Sequence, residues 1–96
     1  MAAVYILSSK EAGHFYIGSC MNIELRLAQH KSGEFTSSFT SNHTDWELFY
    51  MMDGLDYGQS RKIEAHIKRM KSRKYIENLS IYPEIMEKLL IQYQKE

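Results

Sequence analysis

The chain has 96 residues, of which 44% are hydrophobic and 25% are charged, and this composition is typical of one soluble globular domain with one core. A membrane helix is excluded, because no apolar run approaches the roughly 20 residues that such a helix needs. The first residues lack the features of a secretory signal, and Cys20, the single cysteine, excludes an internal disulfide and a cysteine zinc site. We expect a single cytoplasmic domain over residues 1–96, without a membrane partner.

The formal net charge is zero, yet the charges are unevenly placed along the chain. Residues 60–75 contain seven Lys and Arg residues and one acidic residue, whereas residues 1–59 contain three basic and seven acidic residues. Because nucleic-acid affinity depends on local neutralisation of phosphates, the zero net charge does not exclude a nucleic-acid partner. The basic segment favours such a partner, although a solvated helix face explains it equally well.

The first two predicted elements form a β-hairpin over residues 3–19. Their sequences, "AVYIL" and "FYIGS", are rich in the β-branched and aromatic residues that strands favour. The loop between them contains Gly13, which can adopt the positive φ of a turn. The two strands are therefore expected to be neighbours in an antiparallel sheet.

Strand alternation separates the aliphatic side chains of the hairpin from its tyrosines. Val4 and Ile6 share one face and Tyr5 lies on the other, while Tyr16 and Gly18 share a face of the second strand. If the aliphatic face is the core, both tyrosines point outward from the same side. Gly18 leaves room beside them for another group to approach, so this side is the first candidate for a functional site.

A helix is predicted over residues 22–33, because Asn22 is a favourable N-cap and Gly33 a favourable stop. Arg26 and His30 are four residues apart and therefore share a face of this helix. Both polar side chains are expected to project from the edge of the packed surface. The predicted buried stripe next to them consists of Ile23, Leu27 and Ala28.

The rest of the chain is predicted to supply one more strand and two more helices. These elements are, in chain order, a Ser/Thr-rich loop over 34–44, a strand over 45–52, a helix over about 59–72 and a C-terminal helix over about 82–95. In the loop, Phe35 and Phe39 either stack on exposed bases or, as we prefer, hold the loop to the core. The order β-β-α-β-α-α predicts an α+β fold in which helices pack on a three-stranded antiparallel sheet.

The helix over 59–72 carries a carboxylate beside its predicted buried stripe. Glu64 lies next to that stripe, and Lys68 follows it by four residues. An ordinary surface ion pair is therefore one explanation of both residues. The stripe has the i, i+4, i+7 spacing of one helix face and consists of Ile63, Ile67 and Met70.

Five polar side chains occupy positions that neither a core nor a random surface requires. They come from two strands and two helices, and they are Tyr5, Tyr16, Arg26, His30 and Glu64. Such a set can carry out metal-assisted hydrolysis of a phosphodiester. The carboxylate holds a divalent cation, the guanidinium stabilises charge on the phosphoryl group, and a phenol or imidazole takes a proton from water.

At the positions of these five residues, the sequence resembles the GIY-YIG nuclease superfamily, and in particular its small stand-alone bacterial members. The family is named for two tripeptides on neighbouring strands. Here the first is "AVY", the second, "YIG", is intact, and ten residues separate the two tyrosines. The family arginine corresponds to Arg26, with His30 one turn on, and the family glutamate to Glu64. The resemblance covers about residues 3–79 and includes "WELFY", which is similar to the third strand of the small members.

The resemblance implies a role for each of these residues. Tyr16 would act as general base or orient the attacking water, and Tyr5 would help to hold water or phosphate. Arg26 would contact the scissile phosphate, and His30 would be a proton-transfer partner or a phosphate contact. Glu64 would be the sole protein ligand of a divalent metal, Mg²⁺ in the first place with Mn²⁺ as the alternative, while water and phosphate fill the other positions.

The sequence departs from the family pattern at two places. The first tripeptide has Ala and Val instead of Gly and Ile, which we expect to be tolerated because its tyrosine supplies the chemistry. Some members have a lysine directly after the second tripeptide, where this chain has Ser19. Lys68 or Lys71 is a candidate to supply that cation. Together with Arg73 and Lys74, these two lysines are also the candidate contacts to nucleic acid.

Two functions of different classes follow from these observations. The first is a metal-dependent endonuclease of DNA, with a structured, branched or damaged duplex as a candidate target. The second is a nucleic-acid-binding module on the same fold with weak or lost catalysis, which would bind without Glu64 or metal. A protein-interaction domain is a third option, and the ordered set of polar residues argues against it. Without a separate DNA-binding domain, target choice would come from the catalytic face or from a protein partner.

Overall fold

A computed structural model gives the fold of most of the chain. The described residues are 2–10, 13–32 and 46–94. Within them, the side chains of Leu27 and of residues 29–32 are not described. The predicted loop over 34–44, with Phe35 and Phe39, lies outside the described residues. None of the helices in the described ranges has the length and apolar character that spanning a bilayer requires.

The described chain begins with two strands, a helix and a third strand, and helices alone make up its end. The elements are β1 (Ala2–Ser9), β2 (His14–Cys20), α1 (Ile23–Ser32), β3 (Glu47–Leu55), α2 (Tyr57–Met70), α3 (Arg73–Ile81) and α4 (Pro83–Gln92). The strands form one sheet in the order β2-β1-β3, and both neighbouring pairs are antiparallel. Helices pack on this sheet, so the predicted α+β class is confirmed.

The structure adds one helix, α3, to the predicted order. The helix predicted over 59–72 ends at Met70, because Lys71 adopts the left-handed conformation with φ 47° and ψ 41°. Ser72 then caps a new helix by accepting a hydrogen bond from the backbone N–H of Tyr75. Glycine is the usual residue at such a left-handed stop, so a lysine there gives no compositional signal of a helix end.

Both faces of the sheet are covered, and β1 is buried on each side. Helices α2 to α4 cover one face, where the larger cluster of buried side chains consists of Val4, Ile6, Leu55, Ile63, Ile67, Ile76, Leu79, Met86 and Leu89. On the opposite face, the smaller cluster consists of Ala3, Tyr5, Leu7, Cys20 and Trp46. The expectation of one core is therefore wrong, because the middle strand has a packed cluster on each of its faces.

Tyr5 is a core residue, which contradicts the expectation that it points outward. Its side chain is 1% exposed. The alternation itself is as predicted, because Val4 and Ile6 lie on one face while Tyr5 shares the other with Tyr16. The error came from the assumption that this second face is open, whereas Trp46, far away in sequence, packs there.

The starts of α1 and α4 agree with the sequence-based prediction, α2 starts two residues earlier than predicted, and two predicted core positions are wrong. Asn22 caps α1 by accepting a hydrogen bond from the N–H of Leu25, and Pro83 begins α4. Met70 is 45% exposed, because it is the last residue of α2 and lies beyond the packed part of the helix. Ala28 is also exposed, so the predicted buried stripe of α1 is too wide.

Leu79→Ala tests the contribution of α3 to the core. The Leu79 side chain is 1% exposed, so we expect its truncation to lower the free energy of unfolding by about 2–5 kcal/mol. Ile81→Ala on the same helix is the control, because Ile81 is 60% exposed and should change that free energy by less than about 0.5 kcal/mol. Urea unfolding followed by circular dichroism measures both, and equal losses would contradict the packing of α3.

Candidate active site

Two tyrosines from neighbouring strands lie side by side on the face of the smaller cluster. The ring centroids of Tyr5 on β1 and Tyr16 on β2 are 6.3 Å apart. Tyr5 is fully buried, whereas Tyr16 is half-buried and reaches the surface. Trp46, which the sequence analysis did not single out, packs edge-on against Tyr16 with a centroid distance of 6.4 Å. The pair therefore presents one phenol to solvent and keeps the other behind it.

Gly18 makes room for the ring of Tyr5. The two residues lie opposite each other in the pairing of β1 with β2. A β-carbon at Gly18 would lie 2.7 Å from both Cζ and Oη of Tyr5, and 3.2 Å from Cε1 of Tyr16. Because Tyr5 is buried, its ring has no free space into which to retreat. The glycine of the second tripeptide thus allows the tyrosine of the first to lie across β2.

The charge of Arg26 on α1 affects the pKa of both tyrosines. Burial raises the pKa of Tyr5, and the neighbouring Tyr16 raises it further, while the charge of Arg26 lowers it. Burial also raises the pKa of Tyr16, whereas the charges of Lys68 and Arg26 oppose that rise. The charge of Glu64 raises the pKa of both phenols. Arg26 and Glu64 are therefore both close enough to the two tyrosines to influence their ionisation.

Glu64 on α2 accepts hydrogen bonds at both oxygens of its carboxylate. The Ser19 hydroxyl donates to Oε1 at 2.5 Å, and Lys68 Nζ donates to Oε2 at 2.6 Å. The Glu64 side chain is 15% exposed and that of Lys68 is 54% exposed. The surface ion pair that the spacing suggests is therefore present, but it accounts for only one of the two oxygens.

The contact of Ser19 with Glu64 was missed by the sequence analysis, which regarded Ser19 only as a departure from the family pattern. The signal was present in the strand alternation. Ser19 shares its face of β2 with Phe15 and Ile17, which pack against the larger cluster beneath α2. A hydroxyl on that face at the end of β2 can reach a polar side chain of α2, and Glu64 is that side chain.

The remaining predicted site residues are not all gathered around Glu64. His30 lies on α1, and its side chain is outside the described part of the chain. Lys71 and Lys74 are exposed and lie beyond the end of α2. The guanidinium of Arg73 donates a hydrogen bond to the carbonyl of Gly13, at the opposite end of β2 from the site. Among the predicted nucleic-acid contacts, the structure places Lys68 beside the carboxylate.

The donor set around Glu64 fits a small, hard divalent cation. Carboxylate and hydroxyl oxygens are the ligands that Mg²⁺ prefers. The ammonium of Lys68 lies 2.6 Å from Oε2, so this oxygen is already paired with a cation. Over the described ranges, no three His, Cys, Asp or Glu side chains are grouped as metal ligands. A metal at Glu64 would therefore depend on water and phosphate for its other ligands, as Mg²⁺ often does.

The raised pKa of Tyr16 determines the chemistry that its phenol can perform. Burial raises this pKa above the usual value of 10.0, so the phenol of the free protein is protonated at neutral pH. A protonated phenol can orient a water molecule by hydrogen bonding, whereas removing a proton from water requires a phenolate. Of the two roles that the resemblance implies for Tyr16, orientation of water fits the free protein directly.

Comparison with known proteins gives two matches of different kinds. The family model described as the GIY-YIG catalytic domain matches residues 1–77. A UPF0213 protein from Syntrophus aciditrophicus (strain SB) is 33% identical over 85 residues, which cover 86% of this chain and 94% of that protein. No solved structure matches the chain. The range matched by the family model contains every residue predicted for the site.

Gly18→Ala tests the close approach of Tyr5 to β2. The added β-carbon would overlap the buried Tyr5 ring, so we expect the free energy of unfolding to fall by about 1–3 kcal/mol. Combining Gly18→Ala with Tyr5→Leu should recover part of this loss, because the shorter side chain vacates the contact. Urea unfolding of the two single variants and the double variant measures the coupling. Strict additivity would contradict the contact.

Tyr5→Phe tests the burial of the phenol through the pH dependence of stability. Because the pKa of Tyr5 is raised above its usual value of 10.0, its contribution to stability is complete below pH 10 and is lost as the pH rises further. Between about pH 9 and about pH 11, the wild type should lose more stability than Tyr5→Phe. Urea unfolding across this range measures the difference, with Tyr82→Phe as the exposed control. Identical slopes for wild type and Tyr5→Phe would contradict the assignment.

Proposed function

Since this chain belongs to the GIY-YIG family of nuclease domains, we propose that it is a divalent-metal-dependent endonuclease that hydrolyses phosphodiester bonds in DNA. The observation that carries the proposal is the contact of Glu64 with Ser19 on β2, the strand whose Tyr16 lies beside Tyr5. The family supports an endonuclease in general. The metal requirement rests on Glu64, whose half-buried carboxylate lies between a hydroxyl and an ammonium.

The charges of the site complement those of a phosphodiester. Arg26 and Lys68 would contact the scissile phosphate and stabilise the negative charge that develops on it. Tyr16, as a neutral phenol hydrogen-bonded to Tyr5, would orient the attacking water. Glu64 would hold the metal, which when bound supplies Lewis-acid polarisation of the phosphate and stabilises the leaving oxygen.

Lys68 would also replace a cation that other family members place elsewhere. Where some members have a lysine after the second tripeptide, this chain has Ser19, and Lys68 reaches the same carboxylate from α2. Burial raises the pKa of Tyr16, and the charge of Lys68 partly offsets this rise. These contacts support Lys68, rather than the exposed Lys71, as the cation of the site.

The location of the site along β2 supports a DNA substrate. β2 is an edge strand of the sheet, with the site near one end and Arg73 near the other. Positive charge at both ends of an edge strand suits a phosphate backbone that runs along it. A structured, branched or damaged duplex as the target, and a protein partner that sets target choice, are further parts of the proposal. So is a cytoplasmic location, with which the free thiol of the buried Cys20 is compatible.

A nucleic-acid-binding module with weak or lost catalysis is the second candidate, and one observation favours it. In the structure, Lys68 neutralises Glu64, and the raised pKa of Tyr16 keeps its phenol protonated. The site at rest thus offers neither a free carboxylate oxygen nor a phenolate. Such a module would bind DNA without Mg²⁺, and its affinity would fall steeply with salt.

Nicking of supercoiled plasmid by the purified chain with Mg²⁺ tests the nuclease. We expect cutting by the wild type, with losses of about a hundredfold or more in Glu64→Ala and Tyr16→Phe, because each removes a group that acts on the reacting atoms. Chelation of the metal should abolish cutting. Glu84→Ala and Tyr82→Phe, which change exposed residues of the same types outside the site, are the matched controls.

The outcomes distinguish the candidates. Equal cutting by the wild type and the two site variants would point to a contaminating nuclease and would overturn the assignment. If the wild type binds DNA in a salt-sensitive manner but cuts neither plasmid nor branched or flapped duplexes, the binding module is the better description. Binding by Glu64→Ala at wild-type affinity would support that conclusion.

A further inference from the structure

The two oxygens of the Glu64 carboxylate have partners of different kinds. Oε1 accepts from the hydroxyl of Ser19, on a strand, and Oε2 accepts from the ammonium of Lys68, on the same helix. Ser19 pairs with Val4 in the sheet, so its backbone position is fixed. Lys68 has a long side chain that is 54% exposed. One oxygen is therefore held by a rigid neutral donor and the other by a mobile cation.

These two contacts differ in how easily they are broken. An exposed ion pair between residues four apart on a helix contributes little to stability, because water competes for both charges. The hydroxyl of Ser19 reaches Glu64 on the covered side of β2, where water competes less. A cation that approaches the carboxylate from solvent would displace Lys68 and leave Ser19 in place.

A second position is open to the displaced ammonium. Lys68 lines a cavity of about 350 Å³ together with Phe15, Tyr16 and Ile17. This cavity lies at the edge strand β2, where Tyr16 contributes to its lining, and the proposed phosphate would lie beside it. Rotation of the flexible lysine side chain is sufficient to carry its ammonium from Oε2 toward this cavity, without movement of the backbone of α2.

We propose that Lys68 is the resident counter-ion of Glu64, that it releases Oε2 to the divalent metal and then contacts the substrate phosphate beside Tyr16, and that Ser19 holds Oε1 throughout. This inference rests on the proposed function, because it takes Glu64 as the metal ligand. Lys68 competes with the metal in the free protein and assists the reaction in the loaded one. Ser19 is a positioning residue, since it acts on the phosphate only through Glu64.

The proposal predicts that the two neighbours of Glu64 affect metal affinity in opposite directions. Lys68→Met removes the competing cation, so metal binding should tighten while cutting slows. Ser19→Ala removes the donor that orients the carboxylate, so metal binding should weaken, and excess metal should restore part of the cutting. Ser19→Thr keeps the hydroxyl and should rescue metal binding. A purely structural role for either residue would not separate metal affinity from cutting in this way.

Calorimetric titration of the full chain with Mn²⁺, without DNA, measures these affinities independently of cutting. We expect Lys68→Met to bind Mn²⁺ about fivefold more tightly than the wild type, which corresponds to roughly 1 kcal/mol, and Ser19→Ala about fivefold more weakly. Lys62→Met is the matched control, because it removes the same charge two residues before Glu64, where side chains point to another side of the helix. Its affinity should stay within about twofold of the wild type.

Several results would overturn the inference, and each is distinct from failure of the nuclease assignment. If Lys62→Met tightens Mn²⁺ binding as much as Lys68→Met does, the effect is one of overall charge and not of competition at Oε2. Unchanged or weaker binding in Lys68→Met, or wild-type binding in Ser19→Ala, would remove the assigned roles. Wild-type Mn²⁺ binding by Glu64→Ala would instead remove the metal site itself. Thermal unfolding of each variant identifies any that fail to fold.

Discussion

The packing of Tyr5 against Gly18 constrains both the core and the candidate site. Tyr5 belongs to the middle strand, and its ring fills the face of the smaller cluster while its hydroxyl contacts Tyr16 on the edge strand. The ring cannot shift without opening a void among its buried neighbours, so the core determines where the hydroxyl lies. Stability and chemistry therefore depend on the same contact, and a change at either residue is felt by both.

The site combines side chains from both faces of the sheet, so the packing on each face helps to position it. Tyr5 and Tyr16 belong to the face of the smaller cluster, whereas Glu64 comes from α2, which Ile63 and Ile67 hold on the opposite face. Ser19 brings them together at the edge, because its hydroxyl contacts Glu64 while its strand carries Tyr16. An edge strand is the place where groups from two faces can meet without crossing the sheet.

The charges of the site follow from this arrangement. Burial disfavours the ionised phenols, and the cations Lys68 and Arg26 counter this effect at Tyr16 in that order of size. Glu64 offsets only one of these two cations, so the free site keeps a net positive charge. This charge favours an approaching phosphate, and a divalent metal held by Glu64 would add to it.

Sequence periodicity predicted most of the fold because each strand and most of the helices have a clear local signal. The hairpin, the Asn22 cap and the buried Ile63 and Ile67 depend on neighbours in the sequence. The break before α3 was missed because it occurs at Lys71, a residue type that rarely adopts the left-handed conformation. The second cluster was missed because it depends on Trp46, which is distant in sequence.

For the site, the motif spacing predicted a set of residues but not the contacts that hold them. The contact of Ser19 with Glu64 and the position of Arg73 at the turn before β2 are long-range packing results. Neither contact is marked in the sequence by a periodic pattern or by a helix-capping residue. Alternation along β2 pointed to the covered side of Ser19, but only the position of α2 identifies its partner.

The hydrogen bond between Ser19 and Glu64 spans 45 residues of chain, and this separation has a consequence for folding order. The β1–β2 hairpin is local and can form early, while α2 must close a long loop before its carboxylate reaches the strand. A folding intermediate that consists of the hairpin alone has both tyrosines and no acidic partner for them. The chain therefore brings the Glu64 carboxylate to the strand of Tyr16 only when its tertiary structure is complete.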